Sequence, residues 1–147
     1  MEKFRTYQAQ TKTVDNFWDE LGLPSGGELL SLVHSGFPFV VVERLSRLSG
    51  FIPLELAALI QISPSTLRRR RLAGRFTESE SDRVHRVATV LGAARALFEG
   101  DLSAMKHWMT TPQFGLGGRH PADLLTTSVG AEEVLTLVGR LEHGVFS

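Results

Sequence analysis

Four consecutive arginines, Arg68 to Arg71, with Arg75 close behind, form the densest cationic group in the chain. Guanidinium forks match phosphate and carboxylate geometry, so such a run suits a polyanion. It equally suits a solvated helix face or a disordered basic tag, and its neighbours must separate these readings. Other reactive chemistry is thin. His34, His85, His107, His120 and His143 are scattered without the HxxxH or HExxH spacing of a metal site. The chain has no cysteine, hence no thiolate nucleophile, thiolate metal site or disulfide. No GxSxG elbow occurs. GLGGRHP, Gly115 to Pro121, lacks the third glycine of a dinucleotide fingerprint and the GK[ST] of a phosphate loop, so it reads as a turn. The carboxylates are singles on helical segments, without a pair placed for acid–base work. The expectation is a protein that is not an enzyme and takes no cofactor or metal.

Formal charge sharpens the puzzle of the arginines. Lys and Arg total 16, Asp and Glu total 16, and the net charge is zero. From Arg68 to Arg86, however, seven Arg face only Glu78, Glu80 and Asp82, whereas Ala122 to Ser147 sets Asp123, Glu132, Glu133 and Glu142 against Arg140 alone. A basic middle beside an acidic end implies two surfaces for two partners. With 42% hydrophobic and 22% charged residues, the 147-residue chain has an ordinary globular composition. Its polar amino terminus has no signal-peptide core, and the apolar run Phe39 to Val42 is far too short for a membrane span. A cytoplasmic protein without membrane association is expected.

The elements that would position the arginines are helical. SESDRVHRVATVLGAARALF puts Val84, Val87, Leu91, Ala94 and Phe98 on one stripe, predicting a helix from about Ser79 to Phe98, with Thr77 and Glu80 as a capping box. Pro53 to Ile60 is a short helix with proline in its first turn, and Ser63-Pro64 caps another through about Ala73. Further helices are expected at Val14 to Leu21, Gly27 to Ser35, Leu102 to Met109, Pro121 to Thr127 and Ala131 to His143, with TTPQFGLGGRH and SVG as turns. FPFVVVERL is the only β-branched run, and it also fits the start of a helix. The fold class is all-α.

LELAALI and PSTLRRRR, joined by Gln61-Ile62-Ser63, have the spacing of a helix-turn-helix. Ala57 is small where the helices would cross, and Ile62 and Leu67 would fill the space between them. With about 100° per residue, a buried Leu67 carries Arg70 and Arg71 toward the core edge and turns Arg68 and Arg69 outward. Ser65, Thr66, Arg68 and Arg69 are therefore the candidate DNA-facing set, and Arg70 or Arg71 should pair with Glu80 or Asp82. LAALIQIS is similar to the LAxxLGIS segment of Xre/Cro-type DNA-binding domains, departing at Gln61, where a turn glycine is usual.

The carboxyl-terminal third carries a second likeness. Trp108, Pro112, Gly117, Gly118, Pro121, Leu124, Leu125, Gly130, Val134, Leu137, Leu141 and Gly144 follow the pattern of the toxin-binding region of the Xre/ParS/MbcA antitoxin family, which the chain resembles from about Leu45 to Ser147. The resemblance implies the antitoxin of a type II toxin–antitoxin pair. Its partner would be a RES-domain toxin that consumes NAD, and the antitoxin would obstruct that active site and repress the shared operon by binding operator DNA. For the toxin contact, the candidates are Arg140, Glu142 and His143 at the end of the last helix, and Val145 and Phe146 in the terminal tail, where apolar side chains often lack cover. Ordinary core packing explains Val134, Leu137, Val138 and Leu141, and Trp108 reads as a packing anchor.

Three regions follow: residues 1–40 as a helical segment, 41–100 as the helix-turn-helix region and 101–147 as the toxin-binding region. Phe17, Trp18 and Leu21 suit either a homodimer seam or the chain's own core; a homodimer, or a larger hetero-oligomer with toxin, is expected. Two other functions stay open at this point. One is a stand-alone regulator whose carboxyl-terminal part senses a ligand or dimerises; the other is a helical scaffold with a degenerate helix-turn-helix.

Overall fold

A computed structural model describes residues 16–144. Val14, Asp15, Val145 and Phe146 therefore lie outside the described residues. Among the described residues eight α-helices follow in order: α1 Phe17–Leu21, α2 Gly26–Ser35, α3 Val40–Ser49, α4 Pro53–Leu59, α5 Pro64–Ala73, α6 Glu78–Leu97, α7 Leu102–Met109 and α8 Ser128–Glu142. Two 3-10 turns, Phe114–Leu116 and Pro121–Leu124, lie between α7 and α8. Among the described residues no strand forms; the extended contacts are two isolated bridges, Pro38 with Arg75 and Gln113 with Arg119. No helix of the described residues is long and apolar enough to cross a membrane.

The β-branched run at Val40 to Val42 is helical because its Val41, Val42, Leu45 and Leu48 make one buried stripe at helical spacing. Around α3 gather α1, α4, α6 and α7. α6 is the spine: twenty residues, about 30 Å at 1.5 Å per residue. Its Val84, Val87, Ala88, Val90, Leu91 and Ala94 are buried, and it touches α2, α3, α7 and, most extensively, α8. One contiguous core runs from Leu45, Leu56 and Leu67 through Leu91 to Met109, Leu125 and Val138. The capping box at Thr77 is present: Glu80 N donates to Thr77 Oγ1 (3.2 Å) and Thr77 N to Glu80 Oε1 (2.9 Å).

Two segments differ from the sequence reading, and one open alternative is resolved. The last helix begins at Ser128, with Thr127 Oγ1 accepting from Gly130 N, so SVG is a first helical turn and not a separator. Glycine stands there because a Cβ on Gly130 would collide with the Leu124 carbonyl. Pro121 to Thr127 forms only a 3-10 turn, Pro121–Leu124. Phe17 and Leu21 are spent on the chain's own core, Phe17 lying against Gly92 of α6. A dimer seam would have to use other side chains.

Candidate DNA-binding and partner-binding surfaces

α4 and α5 form the helix-turn-helix, and local rules explain both. Pro53 and Pro64 occupy first-turn positions, where a missing N–H costs nothing. Ser63 Oγ accepts from Thr66 N (3.1 Å) and closes the start of α5. Gly74 ends it in the left-handed conformation. Between the helices, Gln61 adopts φ 60°, so the tight turn is kept without glycine, at a cost of about 1–2 kcal/mol. Ala57 and Leu67 are buried and Ile62 is half-buried against the core, as the crossing requires.

The arginines separate by phase. Arg70 makes a bidentate pair with Glu80, Nε to Oε1 at 2.7 Å and Nη2 to Oε2 at 2.9 Å. Arg71 lies over the Phe39 ring, 5.2 Å from its centroid. Arg75 donates to the Ser35 carbonyl (3.0 Å) and Arg83 to the Ile60 carbonyl at the end of α4 (2.8 Å). Arg86 reaches the Leu125 and Thr126 carbonyls ahead of α8. Arg68, Arg69 and Arg71 are exposed and have no carboxylate partner among the described residues, but Arg71 lies on the Phe39 ring, so Arg68 and Arg69 are the pair of α5 that points to solvent. Arg69 rests on Thr66 Oγ1 (3.1 Å).

Burial pushes the Glu80 carboxyl upward, but the hydrogen bonds from Arg70 and Thr77 outweigh it and hold the group below the usual range. The same contact raises the Arg70 guanidinium, so both members stay charged. Glu55 is also lowered, first by the hydrogen bond from Lys106 and then by that from Ile52 N. His85, half-buried against Trp18, is lowered by burial despite nearby Asp82.

Ser65, Arg68 and Arg69 thus share an exposed face, while Thr66 is half-buried in the capping network. Leu72, 82% exposed, falls on the same stripe. Sequence reasoning missed it, although its spacing three and four residues from Arg69 and Arg68 was the signal. An apolar group there suits a thymine methyl.

At the other end, Val134, Leu137 and Val138 are buried and Leu141 is half-buried. Trp108 packs on the core with its ring 5.9 Å from Phe98. Arg140 and Glu142 are exposed on the last turn of α8, and His143 is exposed as the residue that caps its end. His143 Nδ1 lies 2.7 Å from the Gly139 carbonyl, a contact that binds the ring to its own helix. Arg140 borders a groove of about 460 Å³ between α8 and the Phe114–Leu116 turn. Sequence reasoning passed over Phe114 and Val129 here, since both fell in segments read as turns.

Residues 28–88 match the antitoxin Xre-like helix-turn-helix domain. Residues 93–144 match the antitoxin Xre/MbcA/ParS C-terminal toxin-binding domain. A Yersinia enterocolitica protein named Antitoxin Xre is 43% identical over 133 residues, 88% of this chain and 90% of that protein. A Photorhabdus laumondii protein of the same name is 33% identical over 147 residues, 97% of this chain and 99% of the relative. A third Antitoxin Xre, from Pseudomonas putida, is 28% identical over 83% of this chain and 76% of its own length.

Proposed function

Because the chain belongs to the Xre antitoxin family, we propose that it neutralises a RES-domain, NAD-consuming toxin and represses the operon that encodes both. The toxin is bound through the carboxyl-terminal region and its active site obstructed, with Arg140, Glu142, His143, Val145 and Phe146 at or near the contact. Repression runs through α5, whose Ser65, Thr66, Arg68 and Arg69 meet operator DNA. The antitoxin works in the cytoplasm as a homodimer or as a larger assembly with toxin, and contributes no catalysis of its own.

The observation that carries the repressor half is the division of the arginine run. Arg70, Arg71 and Arg75 are committed to Glu80, Phe39 and Ser35, which leaves Arg68 and Arg69 as the outward pair on a helix of recognition geometry. A merely solvated basic face would not need Arg70 held bidentately by the buried Glu80. Support for the neutralising half is the order of the two matched regions and a relative named Antitoxin Xre that covers most of the chain.

The double variant Arg68→Ala, Arg69→Ala tests the repressor half on a DNA fragment from upstream of the chain's own gene. Losing two phosphate contacts should weaken binding at least ~10-fold near 0.1 M salt and make the log–log salt slope shallower by about two. Toxin neutralisation should be untouched. An unchanged slope would remove α5 from the interface.

A further inference from the structure

Phe114 is 90% exposed, more than any other large apolar side chain of the described residues, and Val129 is 73% exposed. Both lie within the region matched to the toxin-binding domain. Val129 lines the groove of about 460 Å³ together with Gly115, Leu116, Glu132, Thr136 and Arg140. Phe114 adjoins the Gly115 wall of that groove. Exposed loop tips usually carry polar residues, and an isolated exposed apolar group needs no explanation. Here two stand by one groove, on a turn that is unusually well fixed.

The fixing is specific. Gln113 N donates to Arg119 O (3.1 Å) and Gly118 N to Gln113 O (2.9 Å), closing the base of the turn. The Gln113 side-chain amide donates to the Trp108 and Thr111 carbonyls (3.0 and 3.1 Å). Arg119 is clamped between the Leu116 carbonyl (2.7 Å) and Glu133 (2.9 Å). Leu116 is buried, and Gly115 lies so close to α8 that a Cβ there would sit 2.8 Å from Leu137 Cδ1. The backbone beneath Phe114 is therefore set before any partner arrives. A rigid turn that shows an aromatic side chain to water loses little ordering entropy on binding, which is the character of an interface anchor.

We infer that Phe114 and the groove between its turn and α8 are where the toxin is held, with Phe114 filling an apolar pocket of the toxin and Glu132 meeting a Lys or Arg beside it. This rests on the antitoxin reading above. Charge supports the same occupant: Glu133 is paired with Arg119, whereas Glu132, on the groove wall, has no ion-pair partner among the described residues. The groove also reaches Arg140, so it is continuous with the last turn of α8, from which the chain runs on to Val145 and Phe146.

The test titrates full-length wild-type chain, Phe114→Ala and Glu132→Lys into the purified toxin encoded by the adjoining gene. Thermal melting and operator binding of each variant serve as folding controls. Phe114→Ala should weaken toxin binding by about 30-fold or more, mostly through faster dissociation. Glu132→Lys should weaken it about 10-fold and slow association. Both variants should melt and bind operator as wild type does. Wild-type binding with Phe114→Ala within twofold would overturn the assignment and leave the antitoxin reading standing. Loss of a homodimer on Phe114→Ala, with toxin affinity unchanged, would overturn it in favour of a second copy. Wild-type chain that fails to bind that toxin would bring down the antitoxin reading and this surface with it.

Discussion

Between Arg68 and Arg86 the chain spends most of its guanidinium groups on itself, and Glu80 is the residue on which that economy turns. It accepts both forks of Arg70 while its Oε1 caps α6 through Thr77 N, so one carboxylate joins the recognition helix to the spine. With the Glu80 side chain only 8% exposed, Glu80→Gln leaves the Arg70 charge poorly compensated and should cost about 2–4 kcal/mol near neutral pH. A urea titration would show it. The pH dependence has a definite sign. The folded carboxyl is held below its unfolded value of 4.5, so its contribution is complete above about that pH and is lost as pH falls. His85, lowered from 6.5 by burial, adds acid destabilisation that starts higher, below about pH 6.5. Glu80→Gln should therefore flatten the lower limb of a melting-temperature profile and leave the upper one. A profile parallel to wild type at all pH values would refute the coupling.

Among the elements, α8 is the most instructive. Its apolar stripe made the helix legible, but Gly130 disguised where it starts, because a glycine after serine and valine reads as a turn. The backbone of Leu124 approaches Gly130 too closely for any Cβ. Gly130→Ala should cost about 1–3 kcal/mol by overpacking, seen as a lower denaturant midpoint. It should also reduce toxin affinity, since α8 forms one wall of the groove. Stability at the wild-type level would mean that the 3-10 turn at Pro121–Leu124 yields freely. In α5 the reverse held: four identical residues looked like one patch, and only the burial of Leu67 gave them different fates. Gln61 shows a further limit of reading by residue type, since packing keeps a left-handed turn that its sequence does not favour.

At the scale of the molecule, the two regions matched to separate domains meet inside one helix. α6 carries Glu80 and Arg83 toward the helix-turn-helix at one end, and Arg86, Val87 and Leu91 toward α8 and the core it shares. A chain ending at Gly100 would expose that face. It should melt without a cooperative transition and bind operator at least ~10-fold more weakly. A sharp melt with full operator affinity would show that the regions fold independently. The all-α class, the helix-turn-helix spacing and the phase of Arg68 and Arg69 against Arg70 followed from the sequence once Leu67 was placed inward, because helical periodicity and capping act over three or four residues. What only the tertiary structure decided lies between residues far apart in the chain. Gly115 lies against Leu137 beside the exposed Phe114, Phe17 is buried against Gly92, and Arg86 reaches across to Leu125. Such contacts depend on which helix faces meet, and no local pattern specifies that.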